Sequence, residues 1–204
     1  MKTTTYANAL LAVKRGTALG YPATQYWALL KASKGARASS TAYALNDTVA
    51  IIPTGKTTLQ LYKCTTGGTT AASQGTLYPG MANEVITDGT AVFTEQTSAL
   101  QAGTAQSEPT IGTNAYARLA ITGNVTNWAA ASGGSIANAG SAWAWPTATP
   151  AGWTTGAEAI WGVGCYDAAS AGICWEVEGL TAVAQISANA TPALAAGQLT
   201  VTEA

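Results

Sequence analysis

"AIWGVGCYDAASAGICWEVEGLT" occupies residues 159–181. Both ends are strand-like runs rich in Val, Ile, Trp and Tyr. Between them "AASA" and Gly172 make a short turn, with the glycine placed for positive φ. The stretch therefore reads as a β-hairpin. A four-residue loop sets Asp167 against Gly172, Tyr166 against Ile173 and Cys165 against Cys174, each pair on one sheet face. A loop one residue longer or shorter shifts the register and separates the two thiols. Three readings of Cys165 and Cys174 stand side by side: packed free thiols, a disulfide, or a metal or redox site. Cytosolic synthesis argues against the disulfide. Glu176 and Glu178 are two apart and share a face, expected to be solvated. Asp167 is expected to bond its own turn backbone.

Outward from the hairpin the same texture recurs. "YARLAITG", "SAWAWPT" and "GQLTVTEA" read as further strands of the C-terminal half. In the N-terminal half, "QYWALLKA" follows the Pro22 turn and is short, which favours a buried strand. From Ser39 come "YALNDTVAIIP", "TLQLYKCT" and "AVFTEQ", separated by "TGK", "TTGGTTAASQG" and "TDG". "SALQAGTAQSEPTIGTN" then forms a loose connection. One helix is expected, in "TTTYANALLAVKRG". There Tyr6, Leu10 and Val13 share a face, Lys14 and Arg15 suit the last turn, and Gly16 closes it. The expected fold is all-β: an antiparallel β-sandwich with a short N-terminal helix and an inserted small β-module. The sandwich takes residues 1–38 and 98–204, and the module takes 39–97.

Composition narrows the function. The 204 residues contain no histidine and only 9% charged residues, against roughly 25% in ordinary soluble domains. Triads built on histidine are excluded, and so is the commonest general base. Three cysteines do not make a four-ligand zinc site. No carboxylate pair converges on a cleft by any spacing in the sequence, so no catalytic residue is assigned and no cofactor is expected. "TTGGTT" lacks the lysine and the helix of a phosphate loop. The basic residues match no nucleic-acid motif, and no run approaches the roughly 18 apolar residues of a membrane span. The apolar run of residues 9–13 is too short for a signal peptide and is closed by Lys14 and Arg15. A surface so poor in charge does little to keep copies apart and suits a subunit of an assembly.

Charge is also segregated. Residues 1–63 hold eight of the nine Lys/Arg and one acid, Asp47, giving +7; residues 64–204 hold Arg118 and nine acids, giving −8. Either the basic end docks on an acidic surface or these are scattered solvated charges. The seven tryptophans read as a sandwich core or subunit interface, or else as an exposed platform for sugar rings.

"YANALLAVKRGTALGYPATQYWALLKA", "AYARLAIT", "WAWPTAT", "WGVGCYDAASAGICWEVEGLT" and "AGQLTVT" resemble a family of small phage virion proteins of the tail-fibre-like kind. The insert's "YALNDTV", "LYKCTTGGTT" and "ITDGTAVFTE" are similar to small β-modules of phage fibres related to chitin-type carbohydrate-binding domains. Tyr43 and Phe93 stand where such modules carry tryptophan. The resemblance implies a non-enzymatic virion protein, made in the host cytoplasm. The leading expectation is a capsid-surface decoration or cement protein, a homotrimer whose partners are the major capsid protein and itself, with no nucleic acid and no membrane. Its expected contact residues are Leu10, Val13, Lys14, Arg15, Lys31, Lys34 and Arg37, with the inserted module projecting outward. The alternative is a tail fibre or adhesin that binds host glycans through Tyr43 and Phe93.

Overall fold

Strand β1 (Thr24–Ala32) is the central plank of the molecule. Its odd positions, Trp27 and Leu29, enter one apolar core, while Ala28, Leu30 and Ala32 enter a second core on the opposite face. A strand buried on both sides has no polar face to alternate with. That is why "WALLKA" reads as a continuous apolar run. The computed structural model describes residues 8, 11–13, 15, 20–74, 78, 80, 81, 83–96 and 107–202.

Thirteen further strands follow among the described residues. They are β2 (Ala42–Tyr43), β3 (Thr48–Ile51), β4 (Gln60–Thr66), β5 (Gly68–Thr69), β6 (Val85–Asp88), β7 (Ala91–Glu95) and β8 (Leu119–Thr122). Beyond these come β9 (Ser135–Ala137), β10 (Trp143–Ala144), β11 (Ala159–Tyr166), β12 (Cys174–Ala184), β13 (Ala193–Leu194) and β14 (Thr200–Thr202). The main sheet has the order β12-β11-β1-β8 and a second four-stranded sheet the order β3-β4-β7-β6. Every pairing between these strands is antiparallel. The fold is all-β, as expected. Asn8 and residues 11–13 have helical backbone; most of the expected N-terminal helix lies outside the described residues.

The first core fills one face of the main sheet. Trp27, Leu29, Val163 and Cys165 pack there under Trp143, Trp145, Trp153, Leu199 and Val201. The covering chain is stitched by the two-stranded ribbons β9–β14 and β10–β13. Indole donors pin it: Trp145 Nε1 donates to the Trp27 carbonyl at 3.0 Å and Trp153 Nε1 to the Asn114 carbonyl at 2.7 Å. Six tryptophans are buried, and half-buried Trp128 packs against Trp27 and Trp143. They build the core rather than an exposed platform.

The second core lies between the two large sheets. Ala28, Leu30, Ala32, Trp161 and Tyr166 of the main sheet meet Ala50 and Leu61 of β3 and β4, with Leu59 beside them. The backbones also touch: Leu59 N–H donates to the Leu180 carbonyl at 2.8 Å. The inserted segment was expected to project outward. Within the chain its β3–β4 side is docked on the main sheet, because those strands carry apolar residues on both faces. The opposite face of the inserted sheet holds a third core of Tyr43, Val49, Ile51, Tyr62, Cys64, Tyr78, Ala91 and Phe93.

Candidate functional site

The hairpin that opens the reading is present, with a different register. Tyr166 opposes Cys174, and Cys165 opposes Glu176 across an irregularity. The loop closes through Asp167 N–H to the Ile173 carbonyl, so it spans residues 168–172, one more than expected. Ala171 and Gly172 both take positive φ, 51° and 76°. The longer loop separates the thiols: Cys165 enters the first core and Cys174 the second. All three cysteines are free and buried. Both the packed-pair and the disulfide readings therefore give way to two independent core thiols. Burial pushes the Cys174 thiol up to about 12 and raises the Cys165 thiol as well, despite the Tyr21 hydroxyl at 3.5 Å. Thiols held protonated are poor nucleophiles and poor metal ligands.

The acids are placed equally plainly. Asp167 Oδ1 accepts the Ile173 N–H at 2.8 Å, the turn role expected of it. Glu176 is not solvated: it is 4% exposed and lies close enough to Tyr21 to help burial raise that hydroxyl's pKa. Glu178 is half-buried. Among the described residues no group of three or more His, Cys, Asp or Glu side chains is placed to hold a metal. No helix there is long and apolar enough to cross a membrane.

Among the described residues, the expected docking bases are largely paired within the chain rather than gathered on one free basic surface. Lys31 pairs with Glu158 at 3.1 Å and Lys34 with Asp47 at 3.8 Å. Arg37 forks onto Asp88, Nε to Oδ2 at 2.6 Å and Nη2 to Oδ1 at 3.1 Å. Asp88 is fully buried and also accepts the Tyr78 hydroxyl and the Ala71 N–H. Burial alone would raise its carboxyl, but these donors hold it below the usual carboxylate range. Val13 and Arg15 are exposed; Leu10 and Lys14 lie outside the described residues. The expected glycan contacts fail on burial. Tyr43 and Phe93 are 4% and 0% exposed and pack edge to face at 5.4 Å, so neither offers a free ring face to a sugar.

Sequence reasoning missed a second buried fork. Arg118 grips Glu108, Nη2 to Oε1 at 2.6 Å and Nε to Oε2 at 3.1 Å. Its Nη1 donates to the carbonyls of Ala168 and Ala171 at 2.8 and 2.7 Å, and its guanidinium lies 3.7 Å from the centre of the Tyr166 ring. Arg118 thus nails the hairpin loop to the sheet. The signal available was its isolation as the one base among residues 64–204.

A groove of about 620 Å³ follows the outer half of β12, lined by Thr58, Glu178, Leu180, Val183, Leu194 and Leu199 among others. Among the described residues that line it, no acid, base and nucleophile come together. Residues 90–202, just over half of the chain, match the family model described as Podophage GP4 fiber I protein gp80. No curated protein matches the chain.

Proposed function

Because the chain belongs to the Podophage GP4 fiber I protein gp80 family, we propose that it is a non-enzymatic structural subunit of a phage virion fibre. It is a phage structural protein of fibre-like type. The family match carries the reading, and it takes in β7 to β14, which supply most of the first core beside Trp27 and Leu29 of β1. The chemistry supports it. The buried thiols are held protonated, and the buried acids Asp88 and Glu95 are tied into the fold, the first by Arg37 and the second by the Asn83 N–H. Capsid decoration, the leading expectation from the sequence, came with a basic contact surface. Lys31, Lys34 and Arg37 are engaged within the chain, which removes much of that support. Quantitative mass spectrometry of purified virions tests the proposal. A fibre subunit is present at a small fraction of the major capsid protein; stoichiometry near that of the capsid lattice favours decoration instead.

A further inference from the structure

We propose that the outer edge of β6 is a self-association edge, which pairs antiparallel with β6 of a second copy about a two-fold axis at Ile86. The bonding pattern of the β6–β7 ladder fixes which groups are available. Glu95 N–H donates to the Glu84 carbonyl at 2.9 Å, which makes residues 84 and 95 a hydrogen-bonded pair. With the register Val85↔Thr94, Ile86↔Phe93, Thr87↔Val92, Asp88↔Ala91, bonded pairs alternate. Ile86 and Asp88 therefore bond β7, while the N–H and C=O groups of Val85 and Thr87 point away from the sheet. Among the described residues β6 is the last strand in its sheet. The opposite edge, β3, is covered: Ala50 N–H donates to the Gly35 carbonyl at 2.7 Å and Arg37 N–H to the Ala50 carbonyl at 3.1 Å.

Natural edges are blunted by lysine, proline, a bulge, an inward-pointing charge or simple shortness; of these β6 has its four-residue length and the buried acid Asp88, which Arg37 neutralises. The β6 sequence is VITD, its ladder is regular, and Val85 is 65% exposed. Met81, in the turn leading into β6, is 66% exposed. The two acids that flank the edge are already engaged. Glu84 accepts the Tyr62 hydroxyl and the Gly80 and Met81 N–H groups, and Asp88 is neutralised by Arg37. Among the described residues, no unpaired charge on the edge repels an identical copy or recruits a charged stranger. The outward groups are also symmetric about Ile86. Val85 of one copy meets Thr87 of the other and exchanges both backbone bonds, and the reverse pair does the same, which is the isologous contact of a two-fold dimer. A strand this short buries less than the roughly 1,200 Å² of a standard stable interface. The pairing is therefore weak alone and counts where copies are already concentrated.

This inference goes beyond the virion assignment and can fail without it. The test is sedimentation equilibrium of the full chain over a concentration series, with hydrogen exchange on the same samples. Wild type is expected to show a reversible monomer–dimer equilibrium and concentration-dependent protection of the Val85 and Thr87 amides. Thr87→Pro removes an outward N–H without touching the β7 ladder, and Val85→Lys places a cation on the edge. Each is expected to weaken association at least about tenfold with an unchanged circular dichroism spectrum. A wild type that stays monomeric, or an oligomer that both variants leave intact, overturns the proposal.

Discussion

At the scale of single residues, Arg37 and Asp88 do the most. One guanidinium joins the chain leaving β1 to the Ala71 carbonyl and the last residue of β6. Removing one partner of a buried pair leaves an uncompensated charge and costs about 3–5 kcal/mol. Arg37→Ala should lose about that much in urea unfolding, whereas Lys34→Ala, which breaks a longer and more exposed pair, should lose no more than about 1 kcal/mol. The pH dependence has a definite sign. Asp88 is depressed in the folded state, so its contribution is present above the ordinary carboxylate range, near pH 4, and is lost as pH falls through the depressed value. Wild type should lose stability below about pH 4, and Asp88→Asn should be weaker at pH 7 but flatter in acid. None of this was legible from spacing, because residues 37 and 88 share no local pattern. The sequence showed a basic third and an acidic remainder. Folding brings Lys31 to Glu158 and Arg37 to Asp88, so segregation along the chain is partly cancelled in space.

At the scale of elements, long strands were legible and fine register was not. β1, β4, β11 and β12 were readable because apolar and aromatic residues recur along strands of 7 to 11 positions. β9 and β13 have only three and two residues, too few to show a period. The hairpin register turned on Ala171. Its positive φ is unusual for a residue with a side chain, so the loop looked one residue shorter than it is. That single residue moved Cys165 and Cys174 to opposite faces. The contact between the two large sheets also depends on one position. A Cβ on Gly179 would collide with the Leu59 carbonyl, which lies where the Leu59 N–H reaches Leu180. Gly179→Ala should destabilise by about 1–3 kcal/mol, the usual cost of overpacking. Thermal melts of Gly179→Ala and Gly197→Ala would compare this site with one where a Cβ meets nothing within 4 Å, but where φ is +79°; a smaller loss at Gly179 than at Gly197 would discount the close approach.

At the scale of the whole molecule, three cores stack across two sheets, and the middle one belongs to both. The expected 39–97 module has a core of its own, yet Ala50, Leu59 and Leu61 also cover Leu30 and Trp161. Replacing residues 39–97 with a Gly/Ser linker closes a loop cheaply but uncovers that apolar face. The product is predicted to unfold with a broad transition and to bind hydrophobic dyes, whereas a sharp reversible melt would show that the main sandwich stands alone. The all-β class and the phage structural character were readable from the sequence. The partner surface was not, because the residues that looked available for contact, Arg37, Tyr43 and Phe93 above all, are used inside the fold. As a fibre-like phage structural protein, the folded chain is proposed to sit on the fibres of the virion. Gold-labelled antibody against the folded chain, imaged on intact virions by electron microscopy, tests it most directly. The account predicts label on the fibres projecting from the virion; label spread over the capsid shell with bare fibres would contradict it.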